Sequence, residues 1–203
     1  MENFSTLADE ATIQKTIAAL TTNGINAMVV ATATEAKEKI LGMIPEGAEV
    51  MNMASVSLET LGLVKIFNES GKYNAVKPKL MKMDRNTQGM EMKKLGAAPE
   101  WAVGSVHAVT EDGHVMIASN TGSQLSGYVY GAEHVVWVVG AQKIVKNLDE
   151  GMKRIYDYIV PLEDKHMIQL FGVHTFVSKL LIVNREINPQ RITLIFVKES
   201  LGF

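Results

Sequence analysis

The sequence predicts an α/β protein: a mostly parallel sheet with helices on both faces, plus a β-hairpin and a small helical excursion. Three observations point there. Short β-branched runs alternate with amphipathic stretches along the chain, the rhythm of strand–helix–strand units. The run His134 to Val139 is Val-rich and apolar, as a strand buried on both faces of a parallel sheet must be. Glycine, proline and short polar residues punctuate the boundaries between runs, where caps and turns need them.

Ile13, Ile17 and Leu20 share one helical face and are followed by Gly24, a helix stop. Ile25 to Thr32 reads as a strand. Thr34 can cap a second helix running through Ile40 and Leu41, ended by Pro45 and Gly47, and Glu49 to Met53 is another short strand. Ser55-Val56-Ser57 opens a helix carrying Leu58, Leu61 and Val64 and ending near Gly71. Residues 73–98 are rich in Lys and Met with weak periodicity, which suggests a helical excursion, a lid or an oligomer contact outside the sheet.

Trp101 to Thr110 reads as a strand, Asp112-Gly113 as the tight turn of a hairpin, and His114 to Ser119 as the returning strand. Asn120-Thr121-Gly122-Ser123-Gln124 precedes the apolar positions Leu125, Tyr128 and Val129, so it reads as a helix start whose free N–H groups could hold an anion. After the Val-rich strand, Asn147 with Glu150 resembles a capping box, and Leu148, Met152, Ile155 and Ile159 line one helical face before Pro161. Leu162 to Phe171 suits a short helix, and Leu180 to Val183 and Ile192 to Val197 suit the last two strands.

Composition narrows the function. The 203 residues are 47% hydrophobic, enough for one substantial core. A formal charge of −2 and no basic tract interleaved with aromatics argue against a nucleic-acid partner. The modest basic group Lys77, Lys79, Lys82 and Arg85 suits a solvated helix face, with reception of an anionic substrate as the alternative. Without cysteine there is no thiol nucleophile, disulfide or thiolate-held cluster. The start Met1-Glu2-Asn3-Phe4 lacks a leader pattern and no apolar run is long enough to span a bilayer, so a cytoplasmic chain is expected.

No dinucleotide fingerprint, phosphate-binding loop or Gly-x-Ser-x-Gly elbow is present. The five histidines are not spaced as metal pairs, so neither a metal nor a cofactor is expected. What remains is Glu111 at a strand end, with two hydroxyl-rich helix starts, Ser55-Val56-Ser57 and Asn120 to Gln124, after predicted strands. In an open α/β sheet that edge is where ligands bind. The ligand-binding candidates are therefore Ser55, Val56, Ser57, Asn120, Thr121, Gly122, Ser123 and Gln124, with Glu111 as acid, base or nucleophile.

The run Ala108-Val109-Thr110-Glu111-Asp112-Gly113, then Ser119-Asn120-Thr121-Gly122, then His134-Val135-Val136-Trp137-Val138-Val139 leading to Lys143-Ile144-Val145, resembles the lactate-utilisation (LUD) domain family, which includes lactate utilisation protein C. Ser55-Val56-Ser57-Leu58-Glu59-x-Leu61-Gly62 and Pro189-x-Arg191-Ile192-x-Leu194-Ile195-x-Val197 extend the likeness, so that it covers most of residues 1–203. Two positions depart from the pattern: His114 replaces a threonine, and Gly172-Val173-His174-Thr175 replaces a glycine/serine-rich turn.

The resemblance implies one LUD-like domain over 1–203, with a Rossmann-like sheet similar to that of glucosamine-phosphate isomerases, ribose-phosphate isomerases and CoA transferases (NagB/RpiA/CoA transferase-like). It also implies a setting in which L-lactate is oxidised to pyruvate alongside iron–sulfur partner proteins. A chain without cysteine cannot carry those clusters, so an accessory or substrate-binding role is expected. Three functions stay open: binding of a small anionic metabolite in such a pathway; isomerase or acyl/CoA-transfer chemistry by Glu111, placed like the nucleophilic glutamate of CoA transferases; and a non-catalytic assembly subunit that docks a redox partner through Met81, Met83, Met90 and Met92. A homo-oligomer is compatible with each.

Overall fold

The computed structural model describes residues 4–203; the Met1-Glu2-Asn3 start considered above lies outside the described residues. Asp9 opens α1 (Glu10–Thr22), its carboxylate accepting from the Thr12 N–H at 2.8 Å. After the turn at Gly24 comes β1 (Asn26–Val30). The second helix, α2 (Ala33–Met43), starts two residues earlier than expected. Its cap is Thr32, whose hydroxyl accepts from the Glu35 N–H at 3.2 Å, not Thr34. β2 (Glu49–Asn52) follows.

The helix expected from Ser55 to Gly71 is broken in two. Gly62 adopts φ +68, a left-handed residue that cannot continue a right-handed helix, and so divides α3 (Val56–Thr60) from α4 (Leu63–Glu69). The 73–98 segment contains α5 (Val76–Met81) and α6 (Gly89–Ala97). It also joins the sheet, contrary to expectation, because β3 (Asn74–Ala75) pairs with β2 at the edge.

Trp101 to Thr110, expected as one strand, is two: β4 (Trp101–Gly104) and β5 (Ala108–Thr110) lie in different sheets. β6 (Val115–Ser119) returns antiparallel to β5. In the connecting turn only Gly113 has positive φ, so the loop is not the two-residue type that Asp-Gly suggested. Helical geometry after Ser119 begins at Leu125 and widens into a π turn at Gly127–Gly131, in place of a regular helix opening at Thr121. β7 (His134–Gly140) leads through a 3-10 turn (Ala141–Lys143) into β8 (Ile144–Val145).

Asn147 caps α7 (Leu148–Lys153), accepting from the Glu150 N–H at 3.0 Å. The helix does not stop before Pro161. A π-helical stretch (Arg154–Ile159) carries it into α8 (Val160–Phe171), the wider turns accommodating a proline that a regular helix interior would reject. β9 (Lys179–Val183) and β10 (Ile192–Val197) complete the chain.

Six strands form a parallel sheet in the order β1-β10-β7-β4-β2-β3, flanked by helices in the Rossmann-like manner. Four form a mixed second sheet, β8-β5-β6-β9. Alternation along β7 sorts the core: Val135, Trp137 and Val139 join Ile13, Leu20 and Phe196 on one face, while Val136 and Val138 join Ile40, Leu58, Leu63 and Phe67 on the other. A third cluster, with Met116, Val145, Ile155 and Ile159, packs the second sheet on the α7–α8 rod. No helix among the described residues is long and apolar enough to cross a membrane.

Candidate functional site

A cleft lies at the carboxyl ends of the parallel strands, where the chain passes between the two sheets. Three connections line it: Ala54 to Ser57 after β2, Ser105 to His107 between β4 and β5, and Lys143 after β7. The turn after β6 supplies Asn120, Thr121, Ser123 and Gln124, and the α8 rod supplies Met167, Leu170 and Phe171. Together with Phe176, Val177 and Phe203 they enclose about 490 Å³.

The polar floor centres on Lys143, which is 4% exposed. Its Nζ donates to Ser105 Oγ at 3.2 Å, Ser57 Oγ at 3.3 Å and the Val106 carbonyl at 3.2 Å. Ser57 Oγ also lies 3.3 Å from Ser105 Oγ and donates to the Leu201 carbonyl at 3.2 Å. Gly202, at φ +67, closes over this group; a Cβ there would stand 2.5 Å from Ser57 Oγ.

No carboxylate among the described residues pairs with Lys143. Burial, with the nearby Arg154 cation, pushes its pKa down to about 7. Arg154 is itself fully buried: its Nη1 donates to the His107 carbonyl at 3.1 Å and its guanidinium lies 5.4 Å from the Tyr158 ring centre, while Nε and Nη2 have no hydrogen-bond partner. Burial lowers its pKa to about 10, so it stays charged at neutral pH. His107 accepts from the Ala118 N–H through Nδ1 at 3.2 Å. Burial, then Lys143 and Arg154, hold its pKa down to about 3, so it is neutral. Nearer the rim, burial also lowers the pKa of Lys77, while Glu163 pairs with His166 at 3.3 Å.

The structure brings Ser55, Val56 and Ser57 to the same cavity as Asn120, Thr121, Ser123 and Gln124. The second group is not an anion-receiving helix start, however. The Gly122 N–H donates to Ser119 Oγ at 2.8 Å and the Ser123 N–H to Thr121 Oγ1 at 3.3 Å, so two of the turn's N–H groups are taken up within it. Gln124 is bonded to Ser119 and Asn120 to Thr175 and Ser178. Gly122 packs against the Lys179 side chain and is outside the lining.

Glu111 is not brought to the cavity. It sits at the turn end of the β5–β6 hairpin, paired with Lys15 of α1 at 2.7 Å. The length of β6, roughly 13 Å at 3.4 Å per residue, separates that turn from Thr121. Lys143, Ser105, His107 and Arg154 are the residues that sequence reasoning passed over. One signal for Lys143 was available: a lone lysine between the apolar runs 134–141 and 144–145.

A second depression, about 540 Å³, opens at the amino ends of the parallel strands. Its arginine, Arg191, is already committed to Glu186 and to the carbonyls of Ala132, Gly127 and Tyr128. No group of three or more His, Cys, Asp or Glu side chains among the described residues could hold a metal ion.

The family model of the LUD domain matches residues 13–197. The chain belongs to the LUD-domain family. A crystal structure of a DUF162 family protein from Deinococcus radiodurans superposes with a TM-score of 0.59 at 10% identity, covering 95% of this chain and 99% of that one. At that identity the likeness establishes the fold alone. No curated protein matches the chain by sequence. The carboxyl-edge cavity of this LUD-domain chain is thus defined by its own residues.

Proposed function

We infer that this LUD-domain protein binds a small anionic metabolite, a carboxylate or phosphate, in the carboxyl-edge cavity, in a lactate-utilisation-like setting. The observation that carries the reading is Lys143: a lysine nearly sealed from water with no carboxylate partner, backed by Arg154 in the same condition. Buried cations are otherwise paired, and an anionic ligand supplies the missing counter-charge. Ser55, Ser57, Ser105 and Lys77 offer further donors along the cavity.

A thermal-shift panel of L-lactate, sugar phosphates and CoA esters tests this. A ligand at about 100 times its Kd stabilises the fold by roughly 2.7 kcal/mol, and Lys143→Met removes the shift. A shift of equal size in that variant contradicts the reading. The assembly alternative draws on Met81 and Met90, 81% and 61% exposed; such side chains suit an adaptable contact with an iron–sulfur partner protein. Co-purification that fails when both become Ser identifies that surface.

A further inference from the structure

One hydroxyl on the cavity floor stands apart from the rest. With Lys143 neutral, its two N–H groups donate to the Val106 carbonyl and Ser57 Oγ, and Ser57 donates to the Leu201 carbonyl. The lysine lone pair then has one remaining neighbour with a proton to give, Ser105, at 3.2 Å. Ser57 is 1% exposed, whereas Ser105 is half-buried and lines the cavity. Met167, Leu170, Phe171, Phe176 and Phe203 line the same cavity, and Leu170, Phe171 and Phe176 among them are large apolar groups more than half exposed. Apolar surface of this kind marks a site for apolar matter.

We propose that Ser105 is an acyl-accepting nucleophile with Lys143 as its general base, making the cavity a hydrolytic site for carboxylic esters or thioesters with an apolar acyl chain. Ser105 Oγ forms a bond to the acyl carbon while its proton passes to Lys143 Nζ. The carbon–oxygen or carbon–sulfur bond breaks, and the lysine proton leaves with the alcohol or thiol. Water, deprotonated by Lys143, then attacks the acyl-serine, releasing the carboxylic acid and returning the proton to Ser105. Each turnover consumes one water and one acyl compound. Ser–Lys pairs are an established variant of the activated-serine arrangement, and no Gly-x-Ser-x-Gly elbow is needed for them. Ser57 is a positioning residue that fixes the lysine.

A lysine that must lose its proton makes the rate rise with pH. The groups around it are Arg154 and His107, with Glu59, Lys77, Glu163 and His166 lining the rest of the cavity; its pKa near 7 sets the midpoint. This activity shares Lys143 with anion binding, in its neutral rather than its charged form, and can fail alone.

The test combines a fluorophosphonate probe, read by peptide mass spectrometry, with hydrolysis of p-nitrophenyl esters of increasing chain length by the whole protein. The probe is expected on Ser105, with labelling that rises through neutral pH. Ser105→Ala and Lys143→Met, both folded by circular dichroism, lose labelling and at least about a hundredfold in rate. Turnover efficiency rises about fourfold per added methylene while the chain fits. Labelling of another serine, no labelling of folded protein, or wild-type turnover in Ser105→Ala overturns the proposal. If L-lactate or phosphate still binds in a Lys143-dependent manner in those cases, only the hydrolytic role is lost; if Ser105 is labelled and no anion binds, only the anion reading is.

Discussion

Lys143 Nζ stands 3.2 Å from Ser105 Oγ in a group that contains no carboxylate. The two side chains arrive from different connections, one following β7 and the other joining β4 of the first sheet to β5 of the second. Their meeting therefore depends on the two connections that cross from the first sheet to the second. It also places an ionisable group where its charged form is disfavoured.

That placement makes folding stability depend on pH. Lys143 titrates near 7 when folded and at 10.5 as a free lysine. Between those values the unfolded chain holds a proton that the folded chain lacks, so stability rises with pH, at up to about 1.4 kcal/mol per pH unit. The penalty is fully present below the folded pKa. Lys143→Met is expected to be more stable than wild type at neutral pH, with the difference closing toward pH 10.5; urea titrations of both proteins across that window check it. A constant difference contradicts it.

Glu111→Gln is expected to leave ligand binding unchanged. Its ion pair involves Lys15, which is 65% exposed, and such pairs contribute no more than about 1 kcal/mol. Calorimetric titration and a thermal melt of the variant decide the point. A large loss of affinity would return Glu111 to the site.

Arg191 joins the loop before β10 to the π turn at Gly127–Gly131, donating to Ala132, Gly127 and Tyr128 carbonyls and pairing with Glu186 at 2.7 Å. Both charges are about nine-tenths buried. Arg191→Met leaves Glu186 uncompensated, and a loss of about 3–5 kcal/mol is expected. Chemical denaturation measures it; a loss below about 1 kcal/mol would show the pair to be dispensable.

Gly104 ends β4 beneath Tyr128, and a Cβ there would lie 1.8 Å from the phenolic oxygen. Gly104→Ala is expected to cost about 1–3 kcal/mol through overpacking. In a Tyr128→Phe background the cost falls, because the clashing atom is gone. Equal costs in the two backgrounds would place the strain elsewhere.

The parts of the fold governed by local pattern were legible from the sequence. The buried run at His134–Val139, the Asn147 cap and the last strand at Ile192–Val197 each follow from composition and spacing alone. The division of Trp101–Thr110 did not, because β-rich residues continue on both sides of Ser105 and only the second sheet tells them apart. Gly62 reads as helix interior until its positive φ is known. At the site, the hydroxyls of Ser55 to Ser57 were visible as a helix cap. Lys143 carried only the weak signal of its apolar flanks, which lysine's rarity in protein interiors outweighs.

Calorimetry in two buffers of different ionisation enthalpy tests the central claim, that Lys143 receives an anionic ligand, most directly. The anion giving the largest thermal shift is titrated at about pH 8, where Lys143 is mostly neutral. Binding is expected to draw in close to one proton per ligand as the lysine charges against its partner, and Lys143→Met is expected to abolish both the uptake and most of the affinity. Binding with no proton uptake, unchanged in Lys143→Met, would contradict it.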